Sequence, residues 1–377
     1  MTVQAQQGMG WGIPGRSGGR GRRSPVRRVM LAVAVTAGLA SLSPVPAAAA
    51  AHPSKPQPGA FAYVASDDGN VYVIDTRTNG VLANHGADVG GGPEQVVVTP
   101  NGTTLYVDNS FAYVSAIKPA TKLFTNINYY QGFSSDHLEG EAITPDGRHV
   151  YVAVRNTFNG DKVSVIDTTT NQISATIKVS GPDWVAISPN GKRAYVACDG
   201  GVSVINTATN AVIATIPLKE APTGMAITPN GRRLFVTGAS GNLTVISIAK
   251  RAIVRTIPNA GTGGLVISPN GKRAYVVGVS SKPIQGKVSV INTATGTVTA
   301  TIPVGSYVPP GITGGGSYFL PSQVAITPDG KSLYVTGSYG QYSSQGTVFA
   351  IDIATKAVTP ITVGTGDTTE GVAVGRV

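Results

Sequence analysis

The sequence contains few of the residues on which protein active sites commonly depend. Cys198 is the single cysteine, so no intramolecular disulfide can form, and no haem-attachment or zinc-binding cysteine pattern occurs. There are four histidines, and neither a phosphate-binding glycine loop nor a Gly-x-Ser-x-Gly motif is found. Because Cys198 follows Ala194-Tyr195-Val196-Ala197 in an apolar strand pattern, we expect it to be buried rather than reactive.

Long apolar runs are also rare in this chain. The one prominent run, residues 29–42, follows the twin arginine Arg27-Arg28 and precedes an alanine-rich stretch. It is too short to span a bilayer stably. The pattern predicts an export signal over residues 1–51, of either the twin-arginine or the ordinary secretory type, and a linker over residues 52–59. We expect a secreted protein that is soluble after signal cleavage.

Acidic residues are absent from the signal segment, which therefore carries much of the net charge. The formal charge of +10 falls to +4 without it, with 23 basic against 19 acidic residues remaining. These basic residues form no long Lys/Arg run. The sequence thus gives no indication of nucleic-acid binding or of membrane insertion.

Glycine is abundant, at 48 residues, and part of it belongs to an internal repeat. A Ser/Thr-Pro-Asn/Asp-Gly tetrapeptide occurs six times at intervals of 40 to 59 residues, beginning at Thr99, Thr144, Ser188, Thr228, Ser268 and Thr327. Proline presets φ and the Asn/Asp-Gly pair tolerates positive φ, so each copy predicts a tight hairpin turn. Repeats of this length are typical of propellers and solenoids.

Four short strands are predicted in each repeat. An apolar strand precedes the turn, and a second strand with an aromatic-Val pair follows it. The seven pairs are Tyr63-Val64, Tyr106-Val107, Tyr151-Val152, Tyr195-Val196, Phe235-Val236, Tyr275-Val276 and Tyr334-Val335. A third strand such as 202–205 leads to an Asp/Asn-Thr turn, and a fourth such as 212–216 alternates apolar and polar residues. The pattern predicts an all-β, seven-bladed β-propeller over residues 60–377.

The two ends of the repeat region complement each other. The first unit, at Phe61, lacks an inner strand, whereas residues 371–374 form an inner-strand pattern with nothing after it. We therefore predict that the C-terminal strand completes the first blade, which removes exposed sheet edges. The alternative is an open solenoid, which would need polar caps instead of complementary half-repeats.

The repeated Tyr-Val-Thr-Gly and Tyr-Val-Ala stretches, the Ser-Pro-Asn-Gly turns and the Val-Ile-Asn-Thr-Ala-Thr-Asn segment resemble the YVTN family of β-propeller repeat proteins. That family occurs in surface-layer and secreted prokaryotic proteins, and the resemblance covers residues 60–375. It implies the propeller fold. Related propellers include binding scaffolds, lactonases and quinoprotein subunits, so the resemblance implies no particular activity and no catalytic residue set.

The repeat also predicts which face of the propeller is functional. The loops between first and second strands and between third and fourth strands share one face and keep nearly constant length. The other loops share the opposite face and hold the insertions, at 125–140, 155–162, 279–287, 305–322 and 338–346. Such one-sided variation favours recognition on that face, with neutral loop drift as the alternative.

A group of acidic residues is predicted at the mouth of the central channel on this variable face. Six residues before the turn prolines, the inner strands begin with Glu94, Glu139 and Asp183, and the equivalent residue of the closing strand is Glu370. These residues belong to four adjacent blades. Crowded carboxylates raise their pKa values or bind a cation such as Ca²⁺. With Trp184 they are the predicted ligand-binding residues; the alternative is that they extend into water.

Other polar and aromatic residues of the variable face give weaker indications. Tyr318, Phe319, Tyr339 and Tyr342 form either an aromatic contact surface or a packing contact between loops. The candidate bases are His85 and His137, the second beside Asp136 and near Glu139, with Glu141 also close in sequence. A local Asp-His pair in a polar loop is more often exposed to solvent than catalytic.

We therefore predict a non-enzymatic binding module that presents its variable face to a protein, a glycan or a small ligand. The alternative is a metal-dependent, lactonase-like hydrolase or lyase that uses the acidic residues to hold a divalent cation. A redox-cofactor role is a third alternative for which the sequence shows no ligand set. The sequence identifies no cofactor, and it leaves the ligand and the oligomeric state open.

Overall fold

The structure is a computed structural model of the 377-residue chain. It describes residues 59–82, 87–110, 113–129, 136–156, 160–281, 284–305, 319–339, 346–364 and 368–376. These residues belong to one compact unit, Ser54–Val377. The predicted export signal and all but the last residue of the predicted linker lie outside the described residues, as do His85, Tyr318 and Tyr342.

All regular structure in the described residues is β-strand, arranged in seven antiparallel sheets that we call blades 1 to 7. Blade 1 contains β1 Ala60–Ser66, β2 Asn70–Asp75, β3 Gly80–Val81, β4 Ala87–Asp88 and, as its inner strand, β29 Thr369–Arg376. Blade 2 contains β5 Pro93–Val98, β6 Leu105–Asn109, β7 Tyr113–Lys118 and β8 Leu123–Asn128. Blade 3 contains β9 Asp136–Ile143, β10 His149–Asn156, β11 Lys162–Asp167 and β12 Gln172–Lys178.

The remaining blades repeat the four-strand pattern. Blade 4 contains β13 Val185–Ile187, β14 Arg193–Cys198, β15 Gly201–Asn206 and β16 Ala211–Pro217. Blade 5 contains β17 Pro222–Ile227, β18 Arg233–Gly238, β19 Leu243–Ser247 and β20 Ala252–Ile257. Blade 6 contains β21 Leu265–Ile267, β22 Arg273–Ser281, β23 Ile284–Asn292 and β24 Thr297–Val304. Blade 7 contains β25 Phe319–Ile326, β26 Ser332–Tyr339, β27 Gly346–Asp352 and β28 Val358–Val363.

The repeated tetrapeptide forms the same turn in each copy. In the turn between β9 and β10, the N–H of Gly147 donates to the carbonyl of Thr144 at 2.8 Å, and Gly147 has a φ of 71°. The Asp146 carboxylate accepts from the backbone N–H of Arg148 at 3.1 Å. The positive φ thus lies on the glycine, and the Asn or Asp contributes a hydrogen bond to the backbone.

The hydrophobic core lies between neighbouring blades. Val and Ile side chains of each sheet pack against the next sheet, and the aromatic residue of each second strand is almost wholly buried. Three of these tyrosines also donate to an asparagine in the outer turn of the following blade: Tyr106 to Asn171, Tyr151 to Asn210 and Tyr334 to Asn79. Apolar burial and a repeated hydrogen bond therefore join successive blades.

The C-terminal strand closes the ring, which confirms the sequence prediction. β29 pairs antiparallel with β1, from Ala60 opposite Arg376 to Val64 opposite Val372. The inner strands contact one another all the way round, including β29 with β5 and β25 with β29. The open-solenoid alternative is therefore wrong.

The propeller has two faces with different loops. One face carries the tetrapeptide turns and the third-to-fourth-strand turns, and we call it the turn face. The variable face carries the loops between second and third strands and the connections between blades. The inner strands begin at the variable face, so the residues at their first positions surround the channel mouth.

Candidate ligand site at the channel mouth

The four predicted acidic residues lie next to one another in the structure. Glu370, Glu94 and Glu139 stand near the beginning of β29, β5 and β9, and Asp183 lies two residues before β13. The Glu94 charge acts on Glu370 and on Glu139, and the Asp183 charge also acts on Glu139. All four side chains are partly buried. The arrangement differs from acids that simply extend into water, and we call these four residues the acidic mouth.

Arg155, at the end of β10, contacts two residues of the acidic mouth. Its Nε lies 3.6 Å from Oε1 of Glu139, and its Nη2 lies 3.3 Å from Oδ2 of Asp183. The guanidinium also donates to the carbonyls of Pro182 and Gly181, at 3.3 and 3.5 Å. The site between blades 3 and 4 therefore already accommodates a planar cation.

The other half of the acidic mouth has a different set of partners. Glu94 Oε1 accepts a hydrogen bond from the hydroxyl of Ser110 at 2.6 Å. The Glu370 carbonyl, rather than its carboxylate, accepts from Thr336 Oγ1 at 2.6 Å. No ion pair to Glu94 or Glu370 is present in the described residues. This half of the mouth lacks a counter-ion within that part of the chain.

Glycines allow the inner strands to approach closely at this level. A Cβ on Gly140 would lie 2.6 Å from the carbonyl oxygen of Asp183, and one on Gly371 would lie 2.6 Å from the carbonyl oxygen of Glu94. Real Cβ atoms do not come so close to backbone atoms, so these positions require glycine. Each glycine directly follows an acidic residue and brings that residue towards the acid of the next blade.

Burial raises the pKa values of three mouth carboxyls, and the charge of another mouth residue adds to this at two of them, Glu139 and Glu370. Burial raises the pKa of Glu139, the Asp183 and Glu94 charges raise it further, and Arg155 and His137 oppose this. Burial raises the pKa of Asp183, with Arg155 opposing and Asp199 adding. Burial also raises the pKa of Glu370, with contributions from the charges of Glu94 and Asp67. A cation at the mouth would relieve this repulsion.

The acidic mouth covers only part of the ring. The equivalent residues of blades 5, 6 and 7 are Thr223, Gly263 and Ser322. Thr223 contacts Thr237 Oγ1 at 3.2 Å, and the Ser322 hydroxyl lies 3.5 Å from the Glu370 carbonyl. The charge is therefore asymmetric about the channel, as the sequence predicts.

Trp184 lies beside Asp183 but also packs against the core. It contacts the hydrophobic cluster between blades 4 and 5, and its carbonyl accepts from the N–H of Ala197 at 2.8 Å. The ring is partly exposed. Trp184 therefore borders the mouth and is held by packing on its other side.

The idea of an aromatic contact surface is wrong for its two described members. Phe319 and Tyr339 are 0% and 3% exposed, and their ring centroids lie 5.3 Å apart. Phe319 also meets Phe349 edge-on at 4.8 Å. Because these rings fill the blade 7 core, the packing alternative holds for them. Cys198 is likewise buried in the core, as expected.

Sequence reasoning missed several residues near the mouth. Arg155 and Ser110 were not predicted because both lie at or after the end of a second strand, far in sequence from the acids they contact. Asp108 was also missed, although it replaces a small or apolar residue of the repeat. Glu141 was noticed only for its proximity in sequence; the structure buries it.

A pocket of about 280 Å³ adjoins the mouth at Asp183 and also involves Asp199 and Glu220. The Glu220 carboxylate already has a hydrogen-bond donor close in sequence, since it accepts from the backbone N–H of Ser240 at 3.0 Å. A larger pocket of about 590 Å³ lies on the turn face between blades 3 and 4. It is lined by the repeated turns, so we ascribe it to the packing of adjacent blades.

No group of three or more His, Cys, Asp or Glu side chains in the described residues is placed to hold a metal ion. Within the same residues, no helix is long and apolar enough to cross a membrane.

Known proteins resemble this chain in sequence over a short stretch and in fold over most of its length. Over 79 residues it is 38% identical to the seven-bladed beta-propeller protein Rv1057 of Mycobacterium tuberculosis, and the match spans 20% of each chain. The fold resembles that of a hydrazine synthase chain from Kuenenia stuttgartiensis, with a TM-score of 0.57, 24% identity, and coverage of 73% of this chain and 96% of that one.

A second structure resembles the chain with a higher TM-score and lower identity. It is a protein from Desulfotomaculum acetoxidans described as functionally unknown, with a TM-score of 0.64, 17% identity, and coverage of 84% of this chain and 99% of that one. At such identities the two structural likenesses show the fold alone.

A family model described as Domain of unknown function (DUF5074) matches residues 150–373, which is more than half of the chain. The chain is therefore a seven-bladed β-propeller that belongs to the DUF5074 family.

Proposed function

We propose that this protein is an exported, non-enzymatic binding module with a propeller of YVTN-type repeats, and that its acidic mouth binds a positively charged group. The observation that carries the proposal is the placement of four partly buried carboxylates on adjacent blades, where the charges of Glu94 and Asp183 act on their neighbours. Arg155 is the cation that contacts them in the described residues, and it reaches only Glu139 and Asp183. The Glu94–Glu370 half is therefore the part best suited to a ligand.

The chemistry of the mouth favours a protonated amine or a guanidinium. Partly buried carboxylates that raise one another's pKa values are stabilised by a cation, and Arg155 shows that a planar cation fits between two of them. Such a group could belong to a lysine or arginine of a partner protein, to an amino sugar of a glycan, or to a small amine. Propellers commonly bind ligands where their loops surround the central channel.

Titration with a tetra-lysine peptide tests the proposal, with a tetra-glutamate peptide as the probe of opposite charge. Isothermal titration calorimetry on the full chain should show binding of tetra-lysine only. The E94Q/E139Q/D183N triple variant should bind it at least about tenfold more weakly, which corresponds to about 1.4 kcal/mol. The R155Q variant should bind more tightly, because the competing internal cation is gone.

The matched control is the D146N/D167N/D352N triple variant, which removes the same number of charges from the turn face. Its affinity for tetra-lysine should stay close to that of the wild type. Equal losses in the two triple variants would mean that net charge, and not the mouth, governs binding, and the proposal would then fail.

The lactonase-like alternative would use the same carboxylates to hold a divalent cation. The described residues offer it no group of three suitable side chains. Calcium added to the chelated protein distinguishes the two functions: stoichiometric binding with a raised melting temperature, lost in the E94Q/E139Q/D183N variant, would favour the alternative.

A further inference from the structure

Two buried carboxyl groups lie on β6 and β9, which contact each other between blades 2 and 3, and the charge of Asp108 acts on the carboxyl of Glu141. Asp108 lies on β6 and is 0% exposed, and Glu141 lies on β9 and is 6% exposed. Asp108 Oδ1 accepts from the backbone N–H of Gln95. Within the described residues, Asp108 Oδ2 and both Glu141 oxygens have no hydrogen-bond partner. Three buried carboxyl oxygens are thus left unsatisfied in one place.

Both residues depart from the repeat, and they do so at the same blade junction. Strand register identifies their equivalents, since Glu141 pairs with Val152 as Val96 pairs with Val107. At the other six junctions the two positions hold small or apolar residues, or threonine opposite an apolar residue. The pairs are Ala65 and Val96, Ala153 and Val185, Ala197 and Met225, Thr237 and Leu265, Val277 and Val324, and Thr336 and Val372.

The presence of both acids at the same blade junction has a physical explanation. A lone carboxyl in this position would be buried without a partner, whereas two at the same junction can hold a proton between them. Random drift of the repeat would not favour placing both acids at one junction.

The surroundings of the pair favour the protonated form. Burial raises the pKa of Asp108 well above its usual range, and the charges of Glu94 and Glu139 add to this, while the N–H of Gln95 opposes it. Burial also raises the pKa of Glu141 well above its usual range, and the Asp108 charge adds to this. The Val97 N–H approaches the Glu141 carboxyl and opposes the shift without forming a hydrogen bond to either oxygen.

No basic side chain in the described residues offsets these effects. The titratable groups that face the pair are Glu94 from β5, Glu139 from β9 and Tyr106 from β6. Burial, with smaller contributions from Glu141 and Asp167, raises the pKa of Tyr106 to about 12, so Tyr106 stays neutral. No Lys, Arg or His among those residues forms an ion pair with Asp108 or Glu141.

We propose that Asp108 and Glu141 form a proton-binding site that holds one shared proton in the folded protein at neutral pH. The proton lies between an oxygen of each carboxyl and satisfies atoms that the rest of the described protein leaves without a donor.

This site gives the mouth a pH dependence, a consequence that rests on the proposed function. Asp108 is close enough to Glu94 and Glu139 to feel their charge, so a cation bound there favours loss of the shared proton. The effect is reciprocal. The factor by which a bound cation weakens proton binding equals the factor by which loss of the proton at higher pH strengthens cation binding at the mouth. Calorimetry in buffers of different ionisation enthalpy should therefore show proton release when tetra-lysine binds.

The site itself is tested without any ligand, by unfolding the full chain at a series of pH values. An acid whose pKa is higher in the folded state stabilises the fold fully below its unfolded pKa, near 4, and this contribution is lost as pH rises towards the folded pKa. The contribution of this pair to wild-type stability should therefore fall from about pH 4 upwards. The D108A/E141V variant, which carries residues found at other junctions, should lose less and melt at least about 3 °C higher at pH 8.

A second measurement observes the proton directly. The infrared absorption of a protonated carboxyl should be present at pH 7 in the wild type and absent from D108A/E141V. The isosteric D108N/E141Q variant should also lose this band while keeping the fold, which separates the proton from the shape of the side chains.

Two results would overturn the inference. One is a pH profile of stability that is the same in the wild type and in D108A/E141V, with no difference in the carboxyl band. The other is a calcium-dependent rise in melting temperature that D108A/E141V abolishes, which would assign the pair to a metal ion. Neither result bears on tetra-lysine binding at the mouth, so the two proposals fail independently.

Discussion

Tyr334 and Tyr63 occupy the same position in neighbouring blades, but their hydroxyl groups differ in their partners. Tyr334 donates to Asn79 at 2.6 Å, across the junction that closes the ring. In blade 2 the equivalent turn residue is Lys122, which offers no side-chain acceptor, and the Tyr63 hydroxyl is buried without a partner in the described residues. Burial raises the pKa of both tyrosines to about 12, so both remain neutral at physiological pH.

We therefore expect opposite results from the same substitution at these two sites. Y334F removes a hydrogen bond and leaves the Asn79 amide oxygen without its donor, so it should lower the free energy of unfolding by about 1 kcal/mol. Y63F removes an unsatisfied hydroxyl and should be neutral or stabilising. Urea unfolding measures both values. A similar loss in the two variants would show that the Tyr334–Asn79 bond is not what stabilises this junction.

Single residues were predictable from the sequence where the repeat could be aligned. The positions of Glu94, Glu139, Asp183 and Glu370 follow from counting back from the turn proline, because equivalent residues of a repeat occupy equivalent places in a ring. The position of Arg155 beside two of these acids could not be predicted by counting from the turn proline. Its partners lie on β9 and just before β13, in two different blades, and only the packing of blade 3 against blade 4 brings the guanidinium to both.

At the scale of elements, β29 is the strand on which closure depends. It completes blade 1 by pairing with β1, and it also contacts β5 and β25 on either side. Its Gly371 lies against Glu94 and Gln95 of β5. One element thus links the first and last blades and carries Glu370 to the mouth.

Deletion of residues 369–377 should therefore destabilise the whole propeller. The edge of β1 would be exposed, and blades 2 and 7 would lose their neighbour, so we expect a large fall in melting temperature or failure to fold. Differential scanning calorimetry measures the change, and deletion of residue 377 alone is the control. A truncated protein with the melting temperature of the full chain would contradict the role given to β29.

At the scale of the whole molecule, basic residues are concentrated on one side of the turn face. Three consecutive blades there carry two basic residues after the turn: Lys192 and Arg193, Arg232 and Arg233, and Lys272 and Arg273. The acidic mouth lies on the opposite face. The carboxylates of the mouth would attract a cationic ligand towards that face.

The proposed export would also involve the whole molecule, since the twin-arginine pathway carries folded proteins. We propose that Arg27 and Arg28 direct the chain to it. Changing both to lysine keeps the positive charge that an ordinary secretory signal needs but removes the twin arginine. The mature protein should then disappear from outside the cell and accumulate inside with its signal attached, as cell fractionation and N-terminal sequencing would show. Unchanged export would indicate the ordinary secretory route.

The sequence by itself determined the number of blades, their strands, the turn chemistry and the closing strand, because each depends on a pattern that recurs along the chain. It also determined which blades carry the mouth acids. Only the tertiary structure decided which side chains meet across blades or are buried between them: the approach of Arg155 to Glu139 and Asp183, the burial of Phe319 and Tyr339, and the burial of Asp108 and Glu141 at one junction. Those contacts join residues from different repeats, and the distances between them depend on how closely the backbones pack.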